Sequence, residues 1–256
     1  AESFNQMSTS LAERDRNLKI INEKLEESNK SYVDLIGFVA HELKGLLASA
    51  IMNAYSLRDG YLGMINFKQQ RAIDSITRNL DYLAATVKKF LNLGRIQKGE
   101  MELHRREVNL AVDIYDVSIE TFSNQFKAKN ITVENNIDRD MVVNADAELM
   151  LIVANNLISN AAKYSTTGGK VEVKSSTEDN KIIVEVYNDS RPISEEAKSQ
   201  LFKKFSRLDV PERKTVKGTG LGLYISKEIV EAHGGKIYVV PRDKGNSFIF
   251  HIERGM

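Results

Sequence analysis

The chain has 256 residues, 42% hydrophobic, 28% charged and 7% aromatic, enough for one large domain or two ordinary ones with a real core. Lys plus Arg number 36 against 35 Asp plus Glu, and a net charge of +1 argues against a nucleic-acid binder driven by a global positive field. The absence of cysteine excludes disulfide scaffolds, thiolate metal sites and cysteine nucleophiles, and the four histidines (His41, His104, His233, His251) lack zinc-ligand spacing. No run approaches 18 apolar residues and the first residues are not signal-like, so a soluble piece is expected. Ala1-Glu2 already falls inside an apolar pattern, which leads us to expect a piece of something longer.

Residues 4–39 carry apolar side chains at heptad spacing. One series is Phe4, Leu11, Leu18, Leu25, Tyr32 and Val39; a second, Met7, Ile21 and Leu35, is interrupted by Arg14 and Ser28. The pattern predicts a coiled coil, either a dimerisation staple or a signal-carrying helix, that runs without a breaker into the segment around His41. After a loop near 59–67, Ile73, Ile76, Leu80, Leu83, Val87 and Phe90 predict a second amphipathic helix. Two antiparallel helices with narrow apolar stripes cannot bury both alone, which predicts a dimeric four-helix bundle. The run 93–99 breaks the pattern and reads as a hinge.

Beyond about residue 105 the periodicity changes. We expect a helix over 110–129, a strand over 131–135, and a helix capped by Asp146 running to Lys163. Strands over 170–177 and 181–187 follow, joined by a polar turn. A long polar stretch, 189–219, precedes a helix that starts near Leu221 and stops at His233-Gly234-Gly235. Strands over 236–240 and 247–252 complete an α+β layer.

Three clusters carry chemistry. In Phe38-Val39-Ala40-His41-Glu42-Leu43-Lys44, a carboxylate beside the histidine would hold the neutral tautomer and leave one ring nitrogen nucleophilic, although a lone helical histidine is usually a surface residue. In the segment 155–165, Asn156, Asn160, Lys163 and Tyr164 share one helix flank. Amide oxygens suit hard Mg²⁺, lysine suits phosphate, and asparagine disfavours helices enough to want a reason. The bland alternative is a solvated face. The third cluster, Lys217-Gly218-Thr219-Gly220-Leu221-Gly222-Leu223, opens into a helix whose backbone amides can approach phosphates. Alone it is weak, lacking both the preceding strand of a dinucleotide fold and a GK[ST].

In this order, from about residue 30 to 253, the clusters resemble the sensor histidine kinases of two-component signalling. His41-Glu42-Leu43-Lys44 is similar to the phosphoacceptor box, the segment 146–165 to the Asn box, Phe202-Lys203-Lys204-Phe205-Ser206-Arg207 to the Phe box, and 217–236 to the second glycine box and the helix after it. The resemblance implies a coiled-coil signalling helix (1–30), a dimerisation and phosphoacceptor domain (31–98) and an α/β-sandwich catalytic ATP-binding domain (99–256). It implies that His41 receives the γ-phosphoryl group with Glu42 as base. Asn160 would coordinate Mg²⁺, Asn156 would support the phosphate site and Lys163 would contact phosphates. Tyr164 would line the cleft, Asp189 would take the adenine amino group and Arg207 would approach the γ-phosphate. Gly218, Thr219, Gly220, Leu221 and Gly222 would cradle the chain of phosphates. The implied cofactors are ATP and Mg²⁺. The implied partners are a second copy, a response regulator receiver domain and an upstream sensor domain, with no nucleic acid and with membrane contact only through other segments. The expected location is the cytoplasmic catalytic portion of a sensor.

The chain departs from the family pattern in three places. The first glycine box is Asp189-Ser190-Arg191-Pro192-Ile193, with Arg191 in place of one glycine and the other missing. Leu46 stands where the family has a helix-bending proline. Gly45 stands where members that dephosphorylate their partner carry Thr or Asn, so phosphatase activity is expected to be weak or absent. A clamp ATPase of the wider superfamily needs a carboxylate base four residues before Asn160. Here that residue is Asn156, which cannot take a proton from water. A degenerate kinase acting as a docking module remains the competing reading, favoured by the altered glycine box.

Overall fold

The computed structural model describes residues 2–97, 103–206 and 219–254, which fall into two compact units, Ala1–Glu100 and Met101–Met256. Among the described residues no helix is long and apolar enough to cross a membrane.

The first unit is a helical hairpin of α1 (Glu2–Arg58) and α2 (Phe67–Gln97). The turn between them uses left-handed backbone at Gly60 and Gly63, conformations that favour glycine. A reciprocal cap starts α2: the Gln69 amide donates to Asn66 Oδ1 at 3.0 Å and the Asn66 amide donates to Gln69 Oε1 at 2.8 Å. Tyr55 clamps the closed end, its hydroxyl donating to Asp81 at 3.0 Å while Arg58 lies 4.1 Å over its ring.

Within the chain the seam is not the heptad series. Ala40 and Leu47 pack with Val87, Leu80, Ala84 and Leu91, and Ala54 and Ile73 are buried as well. The predicted line lies one residue away: Val39 is exposed, as is Leu46 in register with it, and on α2 Ile76 and Leu83 are exposed while Ile73 and Val87 are not. The hairpin therefore buries part of the α2 stripe and leaves Val39, Leu46, Ile76 and Leu83 open. α1 passes Gly45 and Leu46 without a break. The hinge expected over 93–99 is corrected: α2 continues through Gly94 to Gln97, and Lys98 and Gly99 lie outside the described residues.

The second unit is a layer of helices on one face of a five-stranded sheet. The strands are β1 (Arg106–Asn109), β2 (Thr132–Asn136), β3 (Val142–Ala145), β4 (Lys170–Glu178), β5 (Lys181–Asp189), β6 (Lys236–Arg242) and β7 (Gly245–Glu253). The sheet order is β2-β4-β5-β7-β6, parallel only between β2 and β4, and β1 pairs with β3 in a separate antiparallel ribbon. Helices α3 (Val117–Thr121), α4 (Ser123–Ala128), α5 (Ala147–Tyr164), α6 (Glu195–Leu201) and α7 (Gly222–Ala232) complete it.

Alternation decides which face is covered. Along β5, Ile182, Val184, Val186 and Asn188 are buried, whereas Ile183, Glu185, Tyr187 and Asp189 are half-buried on the other face. Val153, Ala154, Leu157 and Ile158 of α5 and Ile225 and Ile229 of α7 fill the covered side. Each Val, Leu or Ile among them contributes roughly 1.5–3 kcal/mol by burial. The open face is polar, with Lys170 paired to Glu134 at 2.9 Å, Lys174 to Glu172 at 3.0 Å and Arg242 to Glu185 at 3.0 Å.

The expected hairpin of 170–177 and 181–187 forms, as do the two closing strands. The single helix expected over 110–129 does not. A π-helical turn, Leu110–Asp116, is capped by Asn109 Oδ1 on the Val112 amide at 3.0 Å, and α3 and α4 follow, parted at Phe122. Leu110, Ala111, Ile114 and Tyr115 are all buried, and the wider π turn brings four such residues inward in one short segment.

Candidate functional site

The flank of α5 that carries the predicted cluster is set by its two ends. At the start, Asp146 Oδ1 accepts the Leu149 amide at 3.0 Å, an N-cap, and Oδ2 accepts the His104 amide at 3.0 Å. The Asp146 amide in turn donates to Nε2 of buried His233, whose Nδ1 donates to the Ile229 carbonyl at 2.8 Å. One neutral imidazole thus joins the end of α7 to the start of α5. Burial holds this ring below its ordinary value, Arg105 adding to the effect and the Ile229 carbonyl and Asp146 opposing it. An unfolded chain binds the proton near pH 6.5 and the folded one only below that, so the stability it contributes is full above 6.5 and falls as pH drops. Unfolding free energies by denaturant at pH 7.5 and 5.5 should show a drop that shrinks in His233→Gln. An equal drop in both proteins would refute this role.

At the other end, Lys129 Nζ donates to the carbonyls of Ala162 at 2.9 Å, Lys163 at 2.5 Å and Ser165 at 3.4 Å, neutralising the negative end of the helix. The sequence reading missed this residue, because a lysine 33 residues away gives no local sign of capping. Between these ends, Asn156 is buried and its Nδ2 donates to the Gly222 carbonyl at 3.0 Å and to Ser226 Oγ at 3.1 Å. It fastens α5 to the first turn of α7. Asn160, one turn on, takes no part in that network and is half-buried, like Lys163 and Tyr164.

Close contacts surround the two described glycines of the third cluster. A Cβ on Gly222 would sit 3.1 Å from Asn156 Oδ1, and one on Gly220, at φ +71°, would sit 2.6 Å from the carbonyl carbon of Phe205. Phe205 itself holds φ 59°, an outlier for an aromatic residue. Leu221 is buried and gives α7 no side-chain cap; Thr219 Oγ1 accepts the Leu221 amide at 3.4 Å. The first amides of α7 therefore carry the helix's positive end without a side-chain cap. Thr219, Gly220, Leu221 and Gly222 come together with Asn156, and through it with the flank of Asn160, Lys163 and Tyr164.

Asp189 does not join them. Its Oδ1 accepts the Tyr187 hydroxyl at 2.6 Å and its Oδ2 the Lys170 amide at 2.8 Å, both on the open sheet face. The strand's alternation turns Asp189 to the open face and puts its neighbour Asn188 on the helix-covered one. The altered glycine box is nevertheless an ordered loop. Asn246 donates to Ser190 Oγ at 2.8 Å and the Arg191 carbonyl at 2.9 Å, and accepts the Ile193 amide at 2.8 Å. Arg207 and Gly218 lie outside the described residues, as does the side chain of His41, which falls within α1; Glu42 is exposed.

Comparison with known proteins agrees with this geometry. The family described as "Histidine kinase-, DNA gyrase B-, and HSP90-like ATPase" matches residues 145–256. The sensor protein KdpD of Clostridium acetobutylicum is 27% identical over 223 residues, 86% of this chain and 24% of KdpD. The catalytic domain of histidine kinase ThkA is 32% identical at a TM-score of 0.54, over 60% of this chain and 97% of that one. ThkA in complex with the response regulator TrrA is 27% identical at a TM-score of 0.58, over 83% of this chain and 61% of that one. The chain belongs to the sensor histidine kinase family. It spans 24% to 60% of the length of the first four curated relatives it matches, and as little as 16% of another.

Proposed function

We propose that the chain phosphorylates itself on His41 from ATP and Mg²⁺, and passes the phosphoryl group to an aspartate on a response regulator. One observation carries this reading: Asn156 ties the Asn160–Lys163–Tyr164 flank of α5 to the uncapped first turn of α7. A triphosphate needs that combination of an amide oxygen for its metal, a cation and a positive helix end. Asn160 would hold Mg²⁺, which neutralises charge on the phosphate oxygens. Lys163, the α7 amides and Arg207 would hold the phosphates, the turn 218–222 would cradle them and Tyr164 would line the cleft.

In the transfer, a ring nitrogen of His41 attacks the γ-phosphorus, the bond to the bridging oxygen breaks and ADP leaves. The ring proton passes to the Glu42 carboxylate. A receiver aspartate then attacks the phosphohistidine and releases the imidazole. Such a regulator would dock across the flank after His41, where Ala48 and Met52 are exposed. The complex of ThkA with TrrA supports that class of partner.

A second copy would cover the open stripe of Val39, Leu46, Ile76 and Leu83, making a four-helix bundle. Residues 1–30 would bring a signal from a sensor domain, 31–98 would dimerise and accept phosphate, and 99–256 would bind nucleotide, on the cytoplasmic side. Gly45 has only open space around it and no side chain to orient a water, so dephosphorylation of the regulator would be weak. Robust Gly45-dependent loss of regulator phosphate would overturn that part.

The test is incubation with Mg²⁺ and γ-labelled ATP. Acid-labile, alkali-stable label that disappears in His41→Gln is the expected result. The glycine-poor loop 189–193 favours a second reading, a docking module without turnover. Absence of both label and nucleotide binding would select it.

A further inference from the structure

Asn188 closes the buried face of β5. It is 3% exposed, and its Nδ2 is buried with no hydrogen-bond partner among the described residues. Its register neighbours offer none: Val171 is apolar, and Asn246 commits its amide to the 190–193 loop. A buried donor left unpaired costs about 1–3 kcal/mol, so folds keep one where something else pairs it.

The place of Asn188 indicates what that partner is. The Thr166 amide donates to the Asp189 carbonyl at 2.9 Å, tying the end of α5 to the end of β5. Asn188 therefore sits on the helix-covered face of the sheet at the end where α5 carries Asn160, Lys163 and Tyr164. Resting on the nucleotide reading above, we propose that Asn188 reads the N1/C6 edge of the purine and admits 6-oxopurine as well as 6-aminopurine nucleotides.

The chemistry follows from the amide. A 6-aminopurine presents an acceptor at N1 and a donor at the amino group; a 6-oxopurine presents a donor at N1 and an acceptor at O6. A carboxamide shows one donor and one acceptor side by side, and a half-turn about its last bond exchanges them. With no protein partner fixing Nδ2, either orientation is open to Asn188. A carboxylate in its place would only accept, satisfying the amino group and leaving O6 facing negative charge.

The experiment is titration of the full chain with Mg²⁺-ATP and Mg²⁺-GTP, with label on His41 followed in parallel. The unaltered protein should bind the two within about tenfold of each other, whereas Asn188→Asp should keep ATP and weaken GTP by more than about tenfold. Asp189→Asn, on the opposite face, should leave the ratio unchanged. ATP binding with GTP rejected more than about 100-fold by the unaltered protein would overturn the proposal, whether or not the variant folds. So would an Asn188→Asp ratio equal to that of the unaltered chain. Binding of neither nucleotide would overturn the nucleotide reading itself.

Discussion

Asn160→Ala should cut autophosphorylation of His41 on the order of 100- to 1000-fold while leaving the unfolding midpoint in place. On the proposed reading Asn160 is the amide that would hold Mg²⁺, and its loss would remove several kcal/mol of charge stabilisation from the transferring phosphoryl group, each 1.36 kcal/mol being about tenfold. The fold should not notice, because the bonds that tie α5 to α7 belong to Asn156. Asn156→Ala should do the opposite, lowering stability as well as activity, since it removes the buried amide that bridges the Gly222 carbonyl and Ser226 Oγ. Single-turnover labelling beside denaturant unfolding separates the two. Equal stability losses in both variants would remove the distinction drawn between a metal-holding asparagine and a fastening one.

Gly220→Ala is expected to be the most damaging small change in the third cluster. A left-handed φ costs a residue with a Cβ roughly 1–2 kcal/mol, and the added methyl group meets the Phe205 backbone for about 1–3 kcal/mol more. Unfolding should shift by a sum near these values, and nucleotide affinity should fall because Gly220 leads directly into α7. Gly220→Asn separates the causes. Asparagine tolerates the left-handed region, so rescue by Asn would assign the effect to φ and persistence of the loss would assign it to the contact with Phe205. An unchanged midpoint in both variants would remove the contact from any role.

Where the sequence was readable, a period and a chemical need coincided. The hairpin of β4 and β5 alternates cleanly, and α5 announces itself by an Asp cap and an asparagine-rich flank. The ribbon of β1 and β3 escaped because four-residue strands with one or two buried positions carry too little periodicity. The segment 110–128 escaped because a π turn follows neither helical nor strand spacing. The heptad series marked an apolar line whose described members Leu18, Ile21, Leu35 and Val39 are exposed within this chain, while small Ala40 and Ala54 are buried beside it. At the end of β5, residue type and alternation point to different neighbours. Matching by residue type chose the carboxylate, whereas counting two-residue steps from Ile182, Val184 and Val186 arrives at Asn188.

The unbroken course of α1 fixes an angular phase along the whole rod. Its 57 residues rise about 85 Å, and each one advances the helix by about 100°. One residue inserted before Lys30 would lengthen the rod by only about 1.5 Å, yet would turn everything upstream by more than a quarter of a revolution about the helix axis relative to Ala40 and Leu47. Seven inserted residues would return the phase to within about 20°. Length and azimuth are thus separable variables in this helix, and single-residue changes move mainly the second.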